Sequence, residues 1–171
     1  AKRLAKEGYD LILVARRRER LTALSNKLKA TNKELECDIF TADLMQLDEC
    51  QRLSDYLEEK DIEIFINNAG YGDCGLFEET DIAKEMGMID VNVRAVHFLT
   101  KKLLRQMRVK DRGFILNVAS SAGLIPAGPY MAAYYASKAY VASLSRAVAC
   151  ELRQSHSHAS VSYTHLTLPT S

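Results

Sequence analysis

A doubly wound α/β fold, with a parallel sheet between layers of helices, is predicted by three features of the sequence. Short apolar runs of five or six residues alternate with longer stretches whose apolar residues recur every three or four positions, the pattern of βαβ units. The run Leu11-Ile12-Leu13-Val14-Ala15 shows no polar alternation, as expected of a strand buried on both faces. Polar or small residues follow each run directly, and open parallel sheets bind their ligands beyond those strand ends.

The elements follow in order. Residues 1–8 read as the last turns of a helix closed by Gly8. After the strand at 11–15, Leu21, Leu24 and Leu28 repeat at helical spacing. Residues 35–41 read as a strand, and Leu47, Cys50, Leu53 and Leu57 as the stripe of a helix. Residues 62–67 form a strand with Ile62, Ile64 and Ile66 on one side and Phe65 on the other. A long helix over 81–108 carries Ile82, Met86, Ile89, Val93, Val96, Leu103 and Met107 as its apolar stripe. Residues 114–119 are a strand, and 133–153 an Ala-rich helix with Val141, Leu144, Val148 and Leu152 on one side. Residues 1–153 make one domain. After Arg153 the pattern stops, and residues 154–171 are expected to be a disordered or non-native tail. The string VSYTHLTLPT resembles the translation of a transposase-type sequencing adapter, so residues 161–171 are expected not to be native protein. The Ser-His-Ser-His run has a metal-binding composition, but an unstructured end is the reading taken.

With 47% apolar and 26% charged residues the chain has the balance of an ordinary soluble domain. A net charge of +1 argues against a generic nucleic-acid binder. That balance conceals blocks: residues 1–30 have nine basic and three acidic groups, residues 31–90 four and seventeen, and residues 91–171 ten and two. Most of these read as solvated helix faces. No apolar run approaches a membrane span. The four cysteines, Cys37, Cys50, Cys74 and Cys150, lie far apart with no CxxC, so neither a disulfide framework nor a metal site is expected, and a cytoplasmic location is.

Each strand end offers candidate chemistry and a plainer reading. After the first run come Arg16 and Arg17, where a dinucleotide-binding fold presents the adenosine ribose. A guanidinium there suits a 2′-phosphate, although a basic residue after a strand also serves as a helix-start charge. Asp43 and Leu44 follow the next run: the carboxylate suits an adenine amino group and the leucine its ring, or Asp43 is a helix N-cap. Asn67-Asn68-Ala69-Gly70 ends the third, with Asn67 bracing the turn and Asn68, Ala69 and Gly70 facing a ligand, or it is merely a turn. Asn92 interrupts an apolar stripe and needs a polar partner. Ser120 and Ser121 follow the fourth run. Tyr134 and Lys138 stand four apart on one helix face, whereas Tyr135 does not share it; the pair alone is common by chance. A cation within ~4–6 Å of a phenol favours proton release.

Taken together, Asn67-Asn68-Ala69-Gly70, Asn92, Ser121, Tyr134 and Lys138 in this order resemble the short-chain dehydrogenase/reductase family over about residues 1–153. Tyr134-Tyr135-Ala136-Ser137-Lys138 is similar to the family's Y-x-[AS]-[ST]-K signature, and Asn117-Val118-Ala119-Ser120-Ser121-Ala122-Gly123 to its serine loop. Ser121 rather than Ser120 has the family's thirteen-residue spacing to the tyrosine. The Arg16-Arg17 to Arg20-Leu21 run resembles NADP-preferring members, which implies NADP(H), with NAD(H) second. The resemblance implies a Rossmann-like fold that interconverts a carbonyl and an alcohol. Tyr134 is then the general acid or base, and Lys138 assists it and binds the nicotinamide ribose. Ser121 hydrogen-bonds the carbonyl oxygen, and Asn92 holds a water that links Lys138 to solvent. It also implies that this stretch lacks the family's first strand, its TGxxxGxG turn and its last strands.

Two other readings share the fold: a non-catalytic dinucleotide-binding sensor or scaffold, and a sugar-nucleotide epimerase with the same Tyr–Lys device. The full Asn–Ser–Tyr–Lys set, the short Ser121–Tyr134 loop and the Asn67–Gly70 motif favour the reductase. The substrate expected is a small-molecule carbonyl or alcohol. Leu124, Ile125, Pro126 and Met131 point to a hydrophobic ketone, aldehyde or 3-oxoacyl group, or are only core. The helices at 81–108 and 133–153 are those through which family members pair, so a homodimer or homotetramer is expected of the full-length protein.

Overall fold

The computed structural model describes residues 1–126 and 128–164. Their order is α1 (Lys2–Lys6), β1 (Leu11–Ala15), α2 (Arg18–Thr31), β2 (Cys37–Thr41), α3 (Leu47–Glu58), β3 (Ile64–Asn67), α4 (Ile82–Ile89), α5 (Val96–Val109), β4 (Phe114–Val118), α6 (Ala132–Gln154) and β5 (Ser160–Thr164). A π-helical turn, Asp90–Ala95, separates α4 from α5, and a 3-10 turn, Ser121–Gly123, precedes α6. Gly8, at φ 88°, turns the chain after α1, a conformation that costs glycine little.

All strand pairs are parallel. Among the described residues β1 pairs only with β2, while β3, β4 and β5 form a second sheet in that order. Alternate side chains of β1 enter different cores, which makes the architecture doubly wound. Leu11 and Leu13 pack with Ala5, Leu28, Leu35 and Cys37 beneath α1 and α2. Ile12 and Val14 pack with Leu53, Leu57, Leu99, Leu103, Met107 and Ile115 beneath α3 and α5. β1 is nevertheless only half-buried, contrary to the strand buried on both faces that its sequence predicts. Its edge toward β3 is unpaired, and a cavity of about 1250 Å3 lies there, lined by Leu11–Ala15 on one side and Ile64–Asn67 on the other.

Two further expectations are corrected. The patternless tail over 154–171 contains structure: α6 runs to Gln154, and Ser160–Thr164 adds β5 to the edge of β4, so a strand does follow the last helix. Val161 enters the core beside Ile115 while its neighbours Ser160 and Ser162 face solvent, an alternation that suits an edge strand. Residues 165–171 lie outside the described residues. The apolar stripe of the long helix is also broken. Ile82 is 68% and Met86 50% exposed, whereas Glu85, Gly87 and Met88 are buried. A π turn inserts a residue into the helical count, so the stripe that holds from Val96 to Met107 does not extend in phase through α4.

Four buried polar side chains pin this frame. Asn67 Nδ2 donates to Asn117 Oδ1 (2.8 Å) and Thr100 Oγ1 (3.1 Å), and Asn117 Nδ2 donates to Ser145 Oγ (2.9 Å). The network ties β3, β4, α5 and α6 at the carboxyl end of the sheet. Asn67 thus braces more than its own turn.

Candidate active site at the carboxyl ends of β3 and β4

Lys138 is buried on the first turns of α6, and its Nζ donates to Val118 O at the end of β4 (2.9 Å). Burial holds its ammonium below the ordinary lysine range. One turn earlier, the half-buried Tyr134 presents its ring 5.9 Å from Lys138 Nζ. The Tyr134 hydroxyl bonds to no described residue. Ser137 Oγ donates to Tyr134 O (2.7 Å), which stiffens the turn between them. Two close approaches set this geometry. A Cβ on Gly70 would stand 2.9 Å from Asn92 Oδ1 and 3.4 Å from Lys138 Nζ, and one on Gly123 would meet Lys138 O at 2.4 Å. A larger residue would press on the Asn92 amide at position 70 and on the α6 backbone at Lys138 at position 123.

The two serines separate by role. Ser120 is buried and its Oγ accepts from Ala122 N (3.2 Å), capping the 3-10 turn. Ser121 is half-buried, and its hydroxyl bonds to no described residue. Asn92 finds the polar partners its place in an apolar stripe requires. Its side chain is fully buried in the π turn, where Oδ1 accepts from Tyr71 N (3.1 Å) and Nδ2 donates to Tyr71 O (2.8 Å) and Ser137 Oγ (3.2 Å). These bonds clamp the loop after β3 to α6.

The other predicted residues line the same end of the sheet. Arg16 and Arg17 are exposed just past β1, Arg17 as the residue before α2. Asp43 does not cap α3, which begins four residues later; its Oδ1 accepts from Met45 N (3.1 Å) in a tight turn. Leu44 is half-buried against the core. Asn68, Ala69 and Gly70 are exposed after β3. Arg16, Asp43, Leu44, Asn68, Ala69, Gly70 and Lys138 thus form a row along the strand ends that could hold an extended dinucleotide.

Leu124, Ile125 and Pro126 are exposed, so the reading of them as core is excluded. Met131 lines a small cavity with Tyr134, Phe77, Thr80, Glu85 and Tyr130, none of the last four predicted from sequence. Tyr130 has φ 68°, an unusual conformation for a bulky residue, held as its O accepts from Gly75 N (2.8 Å). No signal in the sequence marks that strain. The π turn shifts the helical phase, so Glu85 carries no periodic signal of burial.

The family model for short chain dehydrogenase matches residues 1–164, and the chain belongs to that family. It is 31% identical over 154 residues to a 7beta-hydroxysteroid dehydrogenase of Mediterraneibacter gnavus, covering 90% of this chain and 58% of that protein. It is 29% identical over 157 residues to very-long-chain 3-oxoacyl-CoA reductase-A of Danio rerio, covering 90% and 49%. The crystal structure of a metagenomic short-chain oxidoreductase in complex with NADP superposes with a TM-score of 0.87 at 29% identity, covering 98% of this chain and 74% of that one. The chain therefore spans about half the length of the curated relatives it matches. Among the described residues no helix is long and apolar enough to cross a membrane.

Proposed function

We propose that this protein is an NADP(H)-dependent oxidoreductase interconverting a carbonyl and an alcohol, with Tyr134, Lys138, Ser121 and Asn92 as its site. The observation that carries the reading is the Tyr134–Lys138 pair, with the cation buried and anchored and the phenol hydroxyl unengaged beside it. Tyr134 gives its hydroxyl proton to the carbonyl oxygen in reduction and takes it back in oxidation. The Lys138 charge eases that transfer, and its remaining N–H groups hold a ribose hydroxyl. Ser121 Oγ donates to the same carbonyl oxygen as negative charge develops there. Asn92 positions these groups through Tyr71 and Ser137. The candidates at the strand ends suit the dinucleotide: Asn68, Ala69 and Gly70 are exposed there, and Arg16 and Arg17 offer guanidinium forks to a 2′-phosphate. When bound, that cofactor supplies the hydride. The relatives named for steroids and 3-oxoacyl-CoA support a hydrophobic carbonyl substrate. The test is NADPH oxidation by the full-length protein with a panel of hydrophobic ketones, aldehydes and 3-oxoacyl thioesters. Cofactor binding without any turnover would favour a sensor instead.

We further propose a cytoplasmic homodimer or homotetramer that pairs through α5 and α6, where His97 Nδ1 and Tyr140 Oη lie 2.6 Å apart on the outer face. Sedimentation of the full-length protein as a monomer at micromolar concentration would refute this.

A further inference from the structure

The turn between β2 and α3 carries Asp43 and Leu44, the candidates for the adenine end of the dinucleotide, and its shape is held from several sides. Asp43 Oδ1 accepts from Met45 N (3.1 Å) within the turn, and Arg52 Nη2 on α3 donates to Thr41 O (2.7 Å) at its start. The Met45 side chain lies against α4 at a glycine: a Cβ on Gly87 would come within 2.8 Å of Tyr71 Oη and closer still to Met45 Cε. A further tie arrives from 49 residues away, as Arg94 Nη2 in the π turn donates to Met45 O (2.7 Å). The same nitrogen lies 3.3 Å from Asp90 Oδ1, one turn back. Such a nitrogen carries two N–H groups, so both acceptors are served at once. An exposed ion pair four residues apart is worth little by itself; here it aims the planar guanidinium at a carbonyl of another segment. Two positions before Arg94, Asn92 clamps the loop after β3 to α6. One π turn therefore holds the adenine-side turn with Arg94 and the catalytic side with Asn92, each through its own hydrogen bonds.

We propose that Arg94 is a positioning residue for the cofactor: by holding Met45 O it keeps Asp43 and Leu44 in the arrangement that receives the adenine, so that the turn is ordered before binding rather than at binding. The inference rests on the reading of Asp43 and Leu44 as adenine contacts. A turn that its ligand must order takes the entropy of ordering out of affinity. The effect belongs to the adenosine half that NADPH and NADH share, whereas that of Arg16 and Arg17 belongs to the 2′-phosphate. Asn92 keeps its own bonds without Arg94, so the catalytic end stays in place.

In the full-length protein, Arg94→Met, which keeps an unbranched stem without the donors, is expected to raise the Michaelis constants for NADPH and NADH by similar factors, roughly five- to thirtyfold, the worth of ordering one residue. Both kcat and the KM for the carbonyl substrate are expected to stay nearly unchanged. Arg94→Lys, whose ammonium keeps a donor but not the fork, should fall between. Inhibition by adenosine monophosphate, competing with NADPH, should weaken by the same factor as NADPH, and inhibition by nicotinamide mononucleotide should not weaken. If no carbonyl is turned over, the same factors are read by calorimetry as dissociation constants of NADPH and adenosine monophosphate. A rise for NADPH alone would make Arg94 a phosphate contact, and a joint fall in kcat, carbonyl affinity and melting temperature would make it a general support of the fold; either result overturns the proposal, as does an unchanged Arg94→Met. Asp43→Ala separates the proposal from the reading beneath it. If that variant leaves the constants for both cofactors unchanged, the adenine assignment of the turn fails and the proposal falls with it. Raised constants in Asp43→Ala beside unchanged ones in Arg94→Met overturn the role of Arg94 alone.

Discussion

Tyr134 and Tyr135 are adjacent and both half-buried, yet only Tyr134 lies over the Lys138 ammonium. Tyr134→Phe keeps the ring and removes the proton carrier. Turnover is expected to fall by ~10²–10⁴ with cofactor binding retained, and Tyr135→Phe to remain active. The opposite pattern in steady-state kinetics would mean that the wrong phenol has been assigned. Lys138 carries a second signature. Because burial lowers its folded value below the ordinary 10.5, the unfolded chain binds a proton that the folded chain releases between those two values. Stability contributed at this residue therefore rises with pH across that interval. The difference in melting temperature, Lys138→Met minus wild type, is expected to fall as pH approaches 10.5. A difference independent of pH, measured by calorimetry, would contradict the assignment of a charged buried lysine. At the other end of the row, Arg16→Ala with Arg17→Ala should raise the Michaelis constant for NADPH roughly ten- to hundredfold, the loss of a bond to phosphate, and leave that for NADH nearly unchanged. Equal losses with both cofactors would count against a 2′-phosphate contact.

Among the elements, β5 is the one whose attachment is sensitive to pH. The segment before it is fixed by His158, whose Nδ1 lies 2.6 Å from Asp111 Oδ2 after α5, while His158 N donates to Asp111 Oδ1 (3.1 Å). The pairing raises His158 above its ordinary 6.5 and lowers Asp111 below its ordinary 3.8. The histidine's contribution is complete below 6.5 and is lost as pH rises through its raised value; the aspartate's is complete above 3.8 and is lost as pH falls through its lowered value. His158→Asn is expected to destabilise most between those two pH values and least in alkali, read as paired thermal melts. Both groups are exposed, so the effect should shrink with added salt. β5 itself was not legible in the sequence, because five residues rich in Ser and Thr carry too little apolar signal next to a His-rich turn. The same limit applies to α4. Periodicity reads a helix as one uninterrupted count, and the π turn at Asp90–Ala95 breaks that count without changing composition. An unbroken count therefore assigns Ile82 and Met86 to the core and overlooks Glu85. The strands from 11 to 15 and from 114 to 118, and the placement of Ser121, Tyr134 and Lys138, were legible because βα alternation and fixed motif spacing depend only on local sequence. Asn92 was visible as an anomaly, but its partner Tyr71 comes from a loop twenty-one residues away, which no local pattern discloses.

The whole molecule is governed by the gap between its two sheets. Among the described residues β1 and β3 each present an unpaired edge to the cavity of about 1250 Å3, and the two halves are joined chiefly by α3 packing against α5, with Arg94 Nη2 donating to Met45 O (2.7 Å). Direct closure of one sheet on the other would require moving those helices by about a strand width, ~4.8 Å, through a packed interface. Open parallel edges are also templates for pairing with other chains. The 171-residue chain alone is therefore expected to be molten or aggregating and inactive. A longer chain whose preceding segment supplies a strand pairing with both edges is expected to melt cooperatively and to oxidise NADPH with a carbonyl substrate. The comparison is a thermal melt, light scattering and an NADPH assay on the two chains side by side. A soluble 171-residue chain that melts cooperatively and consumes NADPH would show that α3 and α5 suffice to hold the half-sheets, and that the edges facing the cavity need no further strand.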